Sequence, residues 1–397
     1  KRYYIYIFLF MKIKVAIIDH LGAHGSSHHF YLFGQAQGLI ANGIKVGLYT
    51  NIYTSNPGIK DLEFHQFYKG IFSKKSRILA AMRYFVGSIR SHFHARISSC
   101  NVFHYHIFGF SILVLFNMVL AKLLFAKIVL TIHDVRSFSD SNVSSFYTRL
   151  IYFFSDSILT HNRFSKHEIL KFHEPLQSKI SIIPHGNYLP FIKTQHDQES
   201  SRRRLDISLD SKVLLFFGMI KKVKGLDLLL RAMPKIIEEN SEVILLIAGK
   251  PWKDDFSKYH NLINDLHINS NCLLHIKFIS YDDVEYYYSA SDIVVLPYNK
   301  IYQSGVLMMS LSYGKPVVLS DLDSFKEIIE DKKSALLFKS GDVKSLANII
   351  NNTFDSPKLL KNIGLNGLKL MKEKYNWKEI GKQTRDAYYK INYFYKK

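Results

Sequence analysis

The sequence is poor in cysteine and contains no low-complexity tract. Its two cysteines, Cys100 and Cys272, lie far apart among 397 residues and match no metal-ligand spacing, which is typical of free buried thiols in a reducing compartment. No HExxH or similar ligand motif occurs either, so no metal site is predicted. Hydrophobic residues make up 47% and charged residues 22% of the chain, which predicts a globular protein with room for two or three domains.

Acidic residues are also scarce, and one long segment lacks them altogether. The chain carries 53 lysines and arginines against 33 aspartates and glutamates, so its formal charge is +20. This charge favours acidic partners such as nucleic acid, anionic lipid or phosphorylated substrates. No acidic residue lies between Glu63 and Asp134. The positive charges of that segment are Lys69, Lys74, Lys75, Arg77, Arg83, Arg90, Arg96, Lys122 and Lys127.

Within the acid-free segment, "IFSKKSRILAAMRYFVGSIRSHF" (71–93) mixes these charges with large apolar side chains at roughly helical spacing. This pattern is typical of a helix that lies on an anionic membrane surface. RNA binding is the competing interpretation, but the sequence contains no RNA-binding motif, and a solvated basic face is the plainest alternative. We predict that residues 64–133 bind an anionic membrane and that the protein binds no nucleic acid.

Uninterrupted apolar runs long enough to cross a bilayer are missing. The best candidate, residues 110–132, is interrupted by Asn117, Lys122 and Lys127, so a helix followed by a buried strand is the better interpretation. The leading segment "KRYYIYIFLF" carries two positive charges and an apolar run, but no cleavage site follows it. We interpret residues 1–10 as an extension upstream of Met11, non-native or disordered, and predict no transmembrane helix.

Short apolar segments alternate with longer helical ones along the whole chain. "KVAIIDH", "KVGLYTN", "NVFHYH", "KIVLTIHD", "SILTHN" and "ISIIPHG" form a first set of predicted parallel strands, and "KVLLFFG", "EVILLIAG", "CLLHIKFI", "DIVVLPY", "KPVVLS" and "SALLF" form a second. The polar segment 191–211 between them is predicted to be a linker. The sequence therefore predicts two doubly wound α/β domains, at 11–190 and 212–376, facing each other across a cleft, with a C-terminal helix at 377–397 packing back on the first.

One strand-to-helix junction concentrates positive charge. In "FFGMIKKVKGLDLLLRAMPKI" (216–236), lysines 221, 222 and 224 stand between a buried strand and a helix N-terminus, where the helix dipole already favours anions. The segment, together with "SASDIVVLPY" (289–298) and "YQSGVLMMSLSYGKPVVLSD" (302–321), resembles the second domain of GT-B glycosyltransferases, especially the retaining family 4, the glycosyl transferases group 1. The resemblance runs from about residue 12 to residue 345.

The resemblance implies a nucleotide-sugar donor whose pyrophosphate is held by fixed cations and N–H groups, without a metal or other cofactor. Lys221 and Lys224 match the cationic positions, whereas Lys222 is expected to face solvent. The expected donor-binding residues are Gly218, Lys221, Lys224, Gln303, Ser304, Gly305, Val306 and His185. Two glutamates of the family motif are replaced by Ile301 and Met309, which leaves the ribose contact and the retaining stereochemistry open.

The resemblance places the acceptor side in the first domain. The loop Gly22, Ala23, His24 and Gly25 matches a glycine-rich family loop that faces donor and acceptor, and His133 matches a histidine that contacts the transferred sugar. Fifteen of the eighteen histidines precede residue 200, and most are interpreted as composition, not as ligands. The triplet "DLD" (321–323) is interpreted as a polar loop and not as a manganese site.

The resemblance implies a hexosyltransferase, retaining as is usual in the family, whose catalytic residues are His133, Lys221 and Lys224; the sequence itself leaves the stereochemical outcome open. We expect transfer from a UDP- or GDP-sugar to a polysaccharide or lipid-linked acceptor, in a bacterial cytoplasm at the inner face of the cell membrane. Two alternatives stay open: a nucleotide-sugar epimerase of the same fold, which needs catalytic carboxylates, and a non-catalytic basic protein that binds membrane or RNA. Sugar, nucleobase, acceptor and oligomeric state are not specified by the sequence.

Overall fold

All twelve segments that the sequence marks as parallel strands form strands in the structure, a computed structural model. It describes residues 13–25, 27–73, 76–135, 145–171, 173–194, 196–252 and 255–393. The predictions on residues 1–10, Lys74 and Lys75 lie outside the described residues. The chain divides into two units: Lys1–Gly186 with Trp377–Lys397, and Asn187–Asn376.

The first unit contains a seven-stranded parallel sheet in the order β3-β2-β1-β4-β5-β6-β7. Its strands are β1 (Lys14–Ile18), β2 (Lys45–Asn51), β3 (Leu62–Tyr68), β4 (Val102–Ile107), β5 (Lys127–Ile132), β6 (Ser157–Thr160) and β7 (Ile180–Ile182). Its helices are α1 (His28–Ile40), α2 (Arg77–Ile97), α3 (Ile112–Leu123), α4 (Ser145–Phe154), α5 (Arg163–Leu170) and, from the end of the chain, α14 (Trp377–Tyr393).

The second unit contains a six-stranded parallel sheet in the order β10-β9-β8-β11-β12-β13. Its strands are β8 (Lys212–Phe217), β9 (Val243–Ala248), β10 (Cys272–His275), β11 (Ile293–Leu296), β12 (Val317–Ser320) and β13 (Leu336–Phe338). Its helices are α6 (Gln198–Arg204), α7 (Leu226–Glu239), α8 (Ser257–Asp265), α9 (Val284–Ala290), α10 (Gly305–Ser312), α11 (Asp323–Lys326), α12 (Val343–Phe354) and α13 (Pro357–Lys374).

Both sheets have the strand order of a Rossmann fold, because the direction of winding reverses at the first strand of each unit. Strands β1 and β4 flank the reversal in the first unit, and β8 and β11 flank it in the second. Ligands of doubly wound sheets bind at the carboxyl ends of the strands beside this reversal. The fold class predicted from the sequence is confirmed, and ligands are expected at the loops that follow β1, β4, β8 and β11.

The segment 110–132 is a helix followed by a strand, as predicted. Helix α3 begins after Ser111, whose hydroxyl accepts a hydrogen bond from Val114 N–H, and the buried strand β5 starts at Lys127. Among the described residues, no helix combines the length and the apolar content that a membrane crossing requires.

The segment 191–211, predicted to be a linker without regular structure, contains α6 and is held against the second unit. Asp197 caps this helix by accepting from Ser200 N–H, and Arg202 is buried. The Arg202 guanidinium lies 2.8 Å from the Asp292 carboxylate and also donates to the Ala290 carbonyl. A buried arginine with these partners fixes the segment to the unit, which its polar composition did not indicate.

Helix α14 completes the first unit by packing along α1. The Trp377 ring fits against Gly34 and Gly186, where an added Cβ would lie 2.0 Å and 2.3 Å from ring atoms. At the next contacts of the helix, the Asn42 amide donates to the Lys378 carbonyl, and the Tyr388 hydroxyl lies 2.6 Å from His104. The glycines are therefore required as a socket for the last helix of the chain.

We expect Gly249→Ala to lower the free energy of unfolding by roughly 3 kcal/mol or more, because two costs combine. Gly249 has φ +155°, and a Cβ there would lie 1.9 Å from the Gly218 carbonyl oxygen, an atom of the backbone. Gly341→Ala is the matched control in the same unit: its φ is +77°, but nothing lies within 4 Å. Urea unfolding of both variants measures the difference. Equal losses would show that the Gly218 contact is unimportant.

Candidate functional site

The loop that follows β8 holds two lysine side chains whose positive charges affect each other. Lys221 precedes the 3-10 turn Lys222–Lys224, and its carbonyl accepts from Lys224 N–H at 2.9 Å. Lys221 Nζ lies 5.9 Å from the Trp252 ring centre and Lys224 Nζ 5.5 Å from that of Tyr298. Lys222 is exposed, as the sequence predicts.

Lys224 is held in a poorly hydrated place that disfavours its charge. Desolvation, with the nearby charge of Lys221 adding to it, lowers the pKa of Lys224 to about 7. In the described part of the chain, no carboxylate pairs with either ammonium group. A loop that holds two unpaired cations at the end of a strand is suited to bind an anion.

Two glycines bring the lysine loop close to its neighbours. A Cβ on Gly218 would lie 3.3 Å from Lys224 Nζ and 3.2 Å from Val306, so three of the predicted donor residues are brought together. Gly225 has φ +64° and would place a Cβ 1.9 Å from the Pro297 carbonyl oxygen, which follows β11. The loop therefore lies at the carboxyl ends of β8 and β11, where the winding of the sheet reverses.

The second wall of this site is the N-terminus of α10. Ser304 caps the helix, its hydroxyl accepting from Leu307 N–H at 3.2 Å, so the N–H groups of Gly305 and Val306 belong to the first turn and have no acceptor within the helix. The Gln303 side-chain oxygen is buried without a hydrogen-bond partner among the described residues. Free N–H groups beside two lysines form a second set of donors for an anion.

The positions where the family motif has glutamates are apolar here. Met309 is buried and Ile301 is partly buried. Neither side chain contains an oxygen that could accept a hydrogen bond from a ribose hydroxyl. In the "DLD" loop, the Asp321 carboxylate accepts from Ser340 N–H at 2.9 Å and lies 3.7 Å from Lys326 Nζ. These contacts are typical of a polar loop.

In the first unit, the loop after β1 is closed around a buried carboxylate. Asp19 accepts from Gly22 N–H at 2.6 Å and lies 3.0 Å from His28 Nε2. Burial opposes ionisation of this carboxyl, but the charge and hydrogen bond of His28 outweigh it and lower the pKa of Asp19. Ala23 N–H donates to the Thr54 hydroxyl. The same hydroxyl would lie 2.0 Å from a Cβ on Gly22, so only glycine fits at this position.

The outer half of the same loop is open. His24 is exposed and stacks on Phe72, with the ring centres 3.6 Å apart and the planes at 4°. Gly25 has φ +68° and no atom within 4 Å of the position a Cβ would take. The loop therefore presents His24 and Gly25 at the surface, while Gly22 is fixed from beneath.

Histidines stand at the carboxyl ends of four adjacent strands, β4 to β7. His106 is the penultimate residue of β4, and His133 directly follows β5. His161 directly follows β6, and His185 lies three residues beyond the end of β7. His133 is buried between two of them: its Nε2 lies 2.9 Å from His106 Nδ1 and its Nδ1 lies 3.1 Å from His161 Nε2. Phe108 stacks on the same ring at 4.4 Å.

Burial keeps this row of histidines neutral. Desolvation, reinforced by the neighbouring histidines, lowers the pKa of His133 and of His106 well below the ordinary value. Desolvation likewise lowers the pKa of His161 to about 4 and of His185 to about 3. At neutral pH, His133 is therefore a neutral hydrogen-bonding group and not a cation.

The sequence interpretation singled out His133 and His185 but missed His28, His106 and His161. The signal was present, because "HYH", "TIH", "LTH" and "IPH" each put a histidine at or just beyond a strand end. Since parallel strands end at one edge of a sheet, such residues are expected to meet. Treating the histidines as composition overlooked this, and the expectation of no metal site did not consider the group His28, His106 and His133.

Comparison with known proteins relates the second unit to one family. Residues 197–370 match the sequence model of the Glycosyl transferases group 1. An uncharacterized glycosyltransferase of Methanocaldococcus jannaschii is 27% identical over 239 residues, 59% of this chain and 60% of its own length. The N-acetyl-alpha-D-glucosaminyl L-malate synthase of Bacillus anthracis is 23% identical over 225 residues, 57% of this chain and 56% of its own. The chain thus spans somewhat over half of these relatives.

The fold of the chain is that of solved GT-B structures. HepE of Anabaena, solved in complex with UDP-glucose, superposes with a TM-score of 0.74 at 16% identity, over 95% of this chain and all of that one. At this identity the likeness establishes the fold alone. Taken with the family match, it confirms the resemblance that the motifs indicated: residues 197–370 match the model of the Glycosyl transferases group 1, in a chain with the GT-B fold.

Proposed function

We propose that the protein transfers a sugar from a nucleotide-diphosphate donor, a UDP- or GDP-sugar, to a polysaccharide or lipid-linked acceptor, without a metal at the donor phosphates. The observation that carries the proposal is the pair Lys221 and Lys224 at the end of β8, two cations without a carboxylate partner in the described part of the chain, beside the first turn of α10. A leaving pyrophosphate needs this arrangement of fixed positive charge and N–H donors.

In this proposal, Lys224 and Lys221 neutralise the charge that develops on the departing diphosphate, and the amides of Gly305 and Val306 bind its oxygens. The Gln303 side-chain oxygen is buried and unpartnered among the described residues. It accepts a hydrogen bond from a hydroxyl of the nucleotide sugar, in place of the missing glutamate. His133, neutral in its buried position, contacts the transferred sugar. The proposal includes retention of the anomeric configuration of the transferred sugar, because this outcome is typical of the family that the chain resembles.

The proposal is tested with purified protein and a panel of UDP- and GDP-sugars, each assayed for hydrolysis and for transfer to a lipid-linked glycan. Transfer supports the proposal. An epimerised donor sugar without transfer favours the epimerase, and binding of vesicles or RNA without any change to donors favours the non-catalytic alternative. The melting temperature of the protein is measured with each nucleotide sugar in parallel. A ligand at 100 times its Kd stabilises the folded state by about 2.7 kcal/mol, so a bound donor should raise the melting temperature.

We also propose that the first unit docks on an anionic membrane through α2. The outward face of this helix carries apolar side chains three or four residues apart, which together form one stripe. The stripe consists of Ile78, Leu79, Met82, Phe85, Val86, Ile89, Phe93 and Ile97, all exposed. The inward face is polar instead: His92 contacts the Ser88 carbonyl at 2.7 Å and the Tyr105 hydroxyl at 2.8 Å.

The charges around the stripe support an anionic partner. Arg77, Arg83 and Arg90 lie on the same helix, and no acidic residue lies on it. Lys122 and Lys127, however, face Asp156 at 2.8 Å and 3.7 Å, so these two of the nine charges are partly neutralised from outside the segment. An apolar stripe flanked by arginines suits the interface of an anionic bilayer. This supports the proposal that the protein binds the inner face of the cell membrane.

Donor binding should take up a proton. Because the pKa of Lys224 is lowered to about 7, the free protein at pH 8 holds this amine about nine-tenths neutral, whereas a bound diphosphate favours the charged form. We expect uptake of about 0.9 proton per donor at pH 8 and about 0.1 at pH 6, and donor affinity that falls as pH rises above 7. Titration calorimetry in buffers of different ionisation enthalpy measures the uptake.

Lys222→Met is the matched control for this measurement, because Lys222 is exposed on the same turn. The control should keep the proton uptake, and Lys224→Met should abolish it. Binding heats at pH 8 that do not depend on the buffer would contradict the assignment of Lys224 to the donor phosphates.

A further inference from the structure

The buried contact between His106 and His133 has an unusual proton balance. His161 Nδ1–H donates to the Ile183 carbonyl, which cannot donate in return, so His161 Nε2 is an acceptor and His133 Nδ1–H donates to it. At the other end, His106 Nε2–H donates to the Gln35 side-chain oxygen at 3.0 Å. Each of the two neutral rings has then used its one proton.

The remaining contact joins two lone pairs. His106 Nδ1 and His133 Nε2 lie 2.9 Å apart, and with the protons so assigned neither nitrogen can donate to the other. Two facing lone pairs repel each other unless a positive ion lies between them. The ion can be a proton or a metal.

A third imidazole decides which ion the geometry favours. One ring nitrogen from each of His28, His106 and His133 lies within 4.8 Å of the others, and all three residues are buried. The His28 ring is oriented by the Asp19 carboxylate, Nε2 to Oδ2 at 3.0 Å. Metal-ligating histidines are commonly held this way, by a carboxylate or another acceptor behind the ring.

We propose that His28, His106 and His133 bind a divalent first-row transition metal of the Zn²⁺ class in the first unit. Three imidazoles suit such an ion, whereas Mg²⁺ and Ca²⁺ prefer oxygen ligands. Three nitrogens leave a fourth position open, as in zinc sites that bind water or substrate. This inference goes beyond the proposed transfer reaction, which uses His133 only as a contact to the transferred sugar and gives no role to His28 or His106.

The site needs only small movements to accept the ion. Tetrahedral zinc, with Zn–N bonds of about 2.0–2.1 Å, holds its nitrogen ligands roughly 3.3–3.4 Å apart. His106 Nδ1 and His133 Nε2, now 2.9 Å apart, must separate by about 0.4 Å, and the third nitrogen must approach from within 4.8 Å. The acceptors behind the rings, the Gln35 oxygen and His161 Nε2, already have the orientation that the metal-bound tautomers require.

The metal-free alternative requires the Gln35 amide to turn over. Its NH₂ then donates to His106 Nε2, His106 Nδ1–H donates to His133, and every contact of the row has its proton. Gln35→Glu separates the two arrangements, because a carboxylate can only accept and keeps the proton on His106 Nε2. The variant should bind metal about tenfold or more tightly, the scale of such second partners.

The test uses the full chain, stripped with a chelator and titrated with Co²⁺, whose visible absorption reports coordination by nitrogen, and then with competing Zn²⁺. We expect one ion per chain, and a loss of at least about 100-fold in affinity for His106→Gln and for His133→Gln. His104→Gln is the matched control and should bind like the parent. His104 is also buried on the same strand and stacks on His106 at 5.0 Å, but its two ring nitrogens contact Tyr388 and Thr131 and do not face the proposed ion.

Folding of each variant is checked without metal by circular dichroism, and Gln35→Glu gives an answer that does not depend on removing a ligand. A parent protein that binds no Co²⁺ or Zn²⁺ overturns the proposal and leaves the metal-free arrangement with the turned Gln35 amide. Binding that survives in both His106→Gln and His133→Gln also overturns it, because the ion then lies at other histidines. All these readouts are independent of glycosyl transfer.

Discussion

Lys224→Ala is expected to lower turnover with the best nucleotide-sugar donor by on the order of 100-fold, the scale of losing one preorganised charge at a transition state. The loss should not come from unfolding. Desolvation lowers the pKa of Lys224 to about 7, so the fold gains nothing from holding this charge, and its removal should leave the melting temperature unchanged or higher. Steady-state kinetics and thermal unfolding of the same preparation measure both effects.

Lys222→Ala is the control for the charge, because Lys222 lies two residues away and is exposed. It should keep turnover within about twofold, since an exposed charge is screened by water and salt. If Lys224→Ala also stays within about twofold of the parent, the diphosphate lies elsewhere. Lys221→Arg is informative beside them: the guanidinium restores the residue of the family motif and should keep or raise donor affinity.

The second large effect concerns the apolar stripe on α2. Replacing Met82, Val86 and Phe93 by serine should weaken binding to anionic vesicles by roughly 3 kcal/mol, on the order of 100-fold. Full burial of a large apolar side chain contributes about 1.5–3 kcal/mol, and each of these three, being about half exposed, has about half of that still to gain. The three side chains are 59%, 54% and 49% exposed, so their removal creates no cavity and should not destabilise the unit. Vesicle sedimentation at several lipid concentrations measures the affinity.

The control replaces exposed apolar side chains outside the stripe. Leu209→Ser with Leu365→Ser removes leucines that are 44% and 55% exposed in the second unit, and it should leave vesicle binding unchanged. Binding by the parent should weaken with added salt, because attraction to the lipid charge is screened beyond about 10 Å at 0.1 M. Full sedimentation of the triple variant, or an equal effect of the control, would exclude α2 as the docking surface.

The fold could be predicted from the sequence because its signals are local. Buried parallel strands are continuously apolar, and the lysine loop and its helix lie within one segment, so "KVLLFFG" and "KKVKG" were interpreted correctly without knowledge of any neighbour. Strand β3 (Leu62–Tyr68) was missed for the same reason. It pairs only with β2 at the edge of the sheet, and its "LEFHQFY" pattern is half polar.

The histidine row could not be predicted in the same way, because it depends on which strands are neighbours. His106, His133 and His161 are about 28 residues apart in sequence, and only the parallel order of β4, β5 and β6 brings their rings into contact. The polar inner face of α2 is similar. Ser88 and His92 point inward because Tyr105 of β4 offers a partner, which no property of the helix alone indicates.

The return of α14 to the first unit has a consequence for how the protein is made. A ribosome releases residues of the first unit first, but Trp377 and the rest of α14 emerge only after the whole second unit has been synthesised. At 5–20 residues per second, that delay is roughly ten to forty seconds. The second unit is contiguous and can finish folding as it appears, while the socket formed by Gly34 and Gly186 waits for its tryptophan. The first unit is therefore begun before the second unit is translated, yet its folding can be completed only after the second unit has been synthesised.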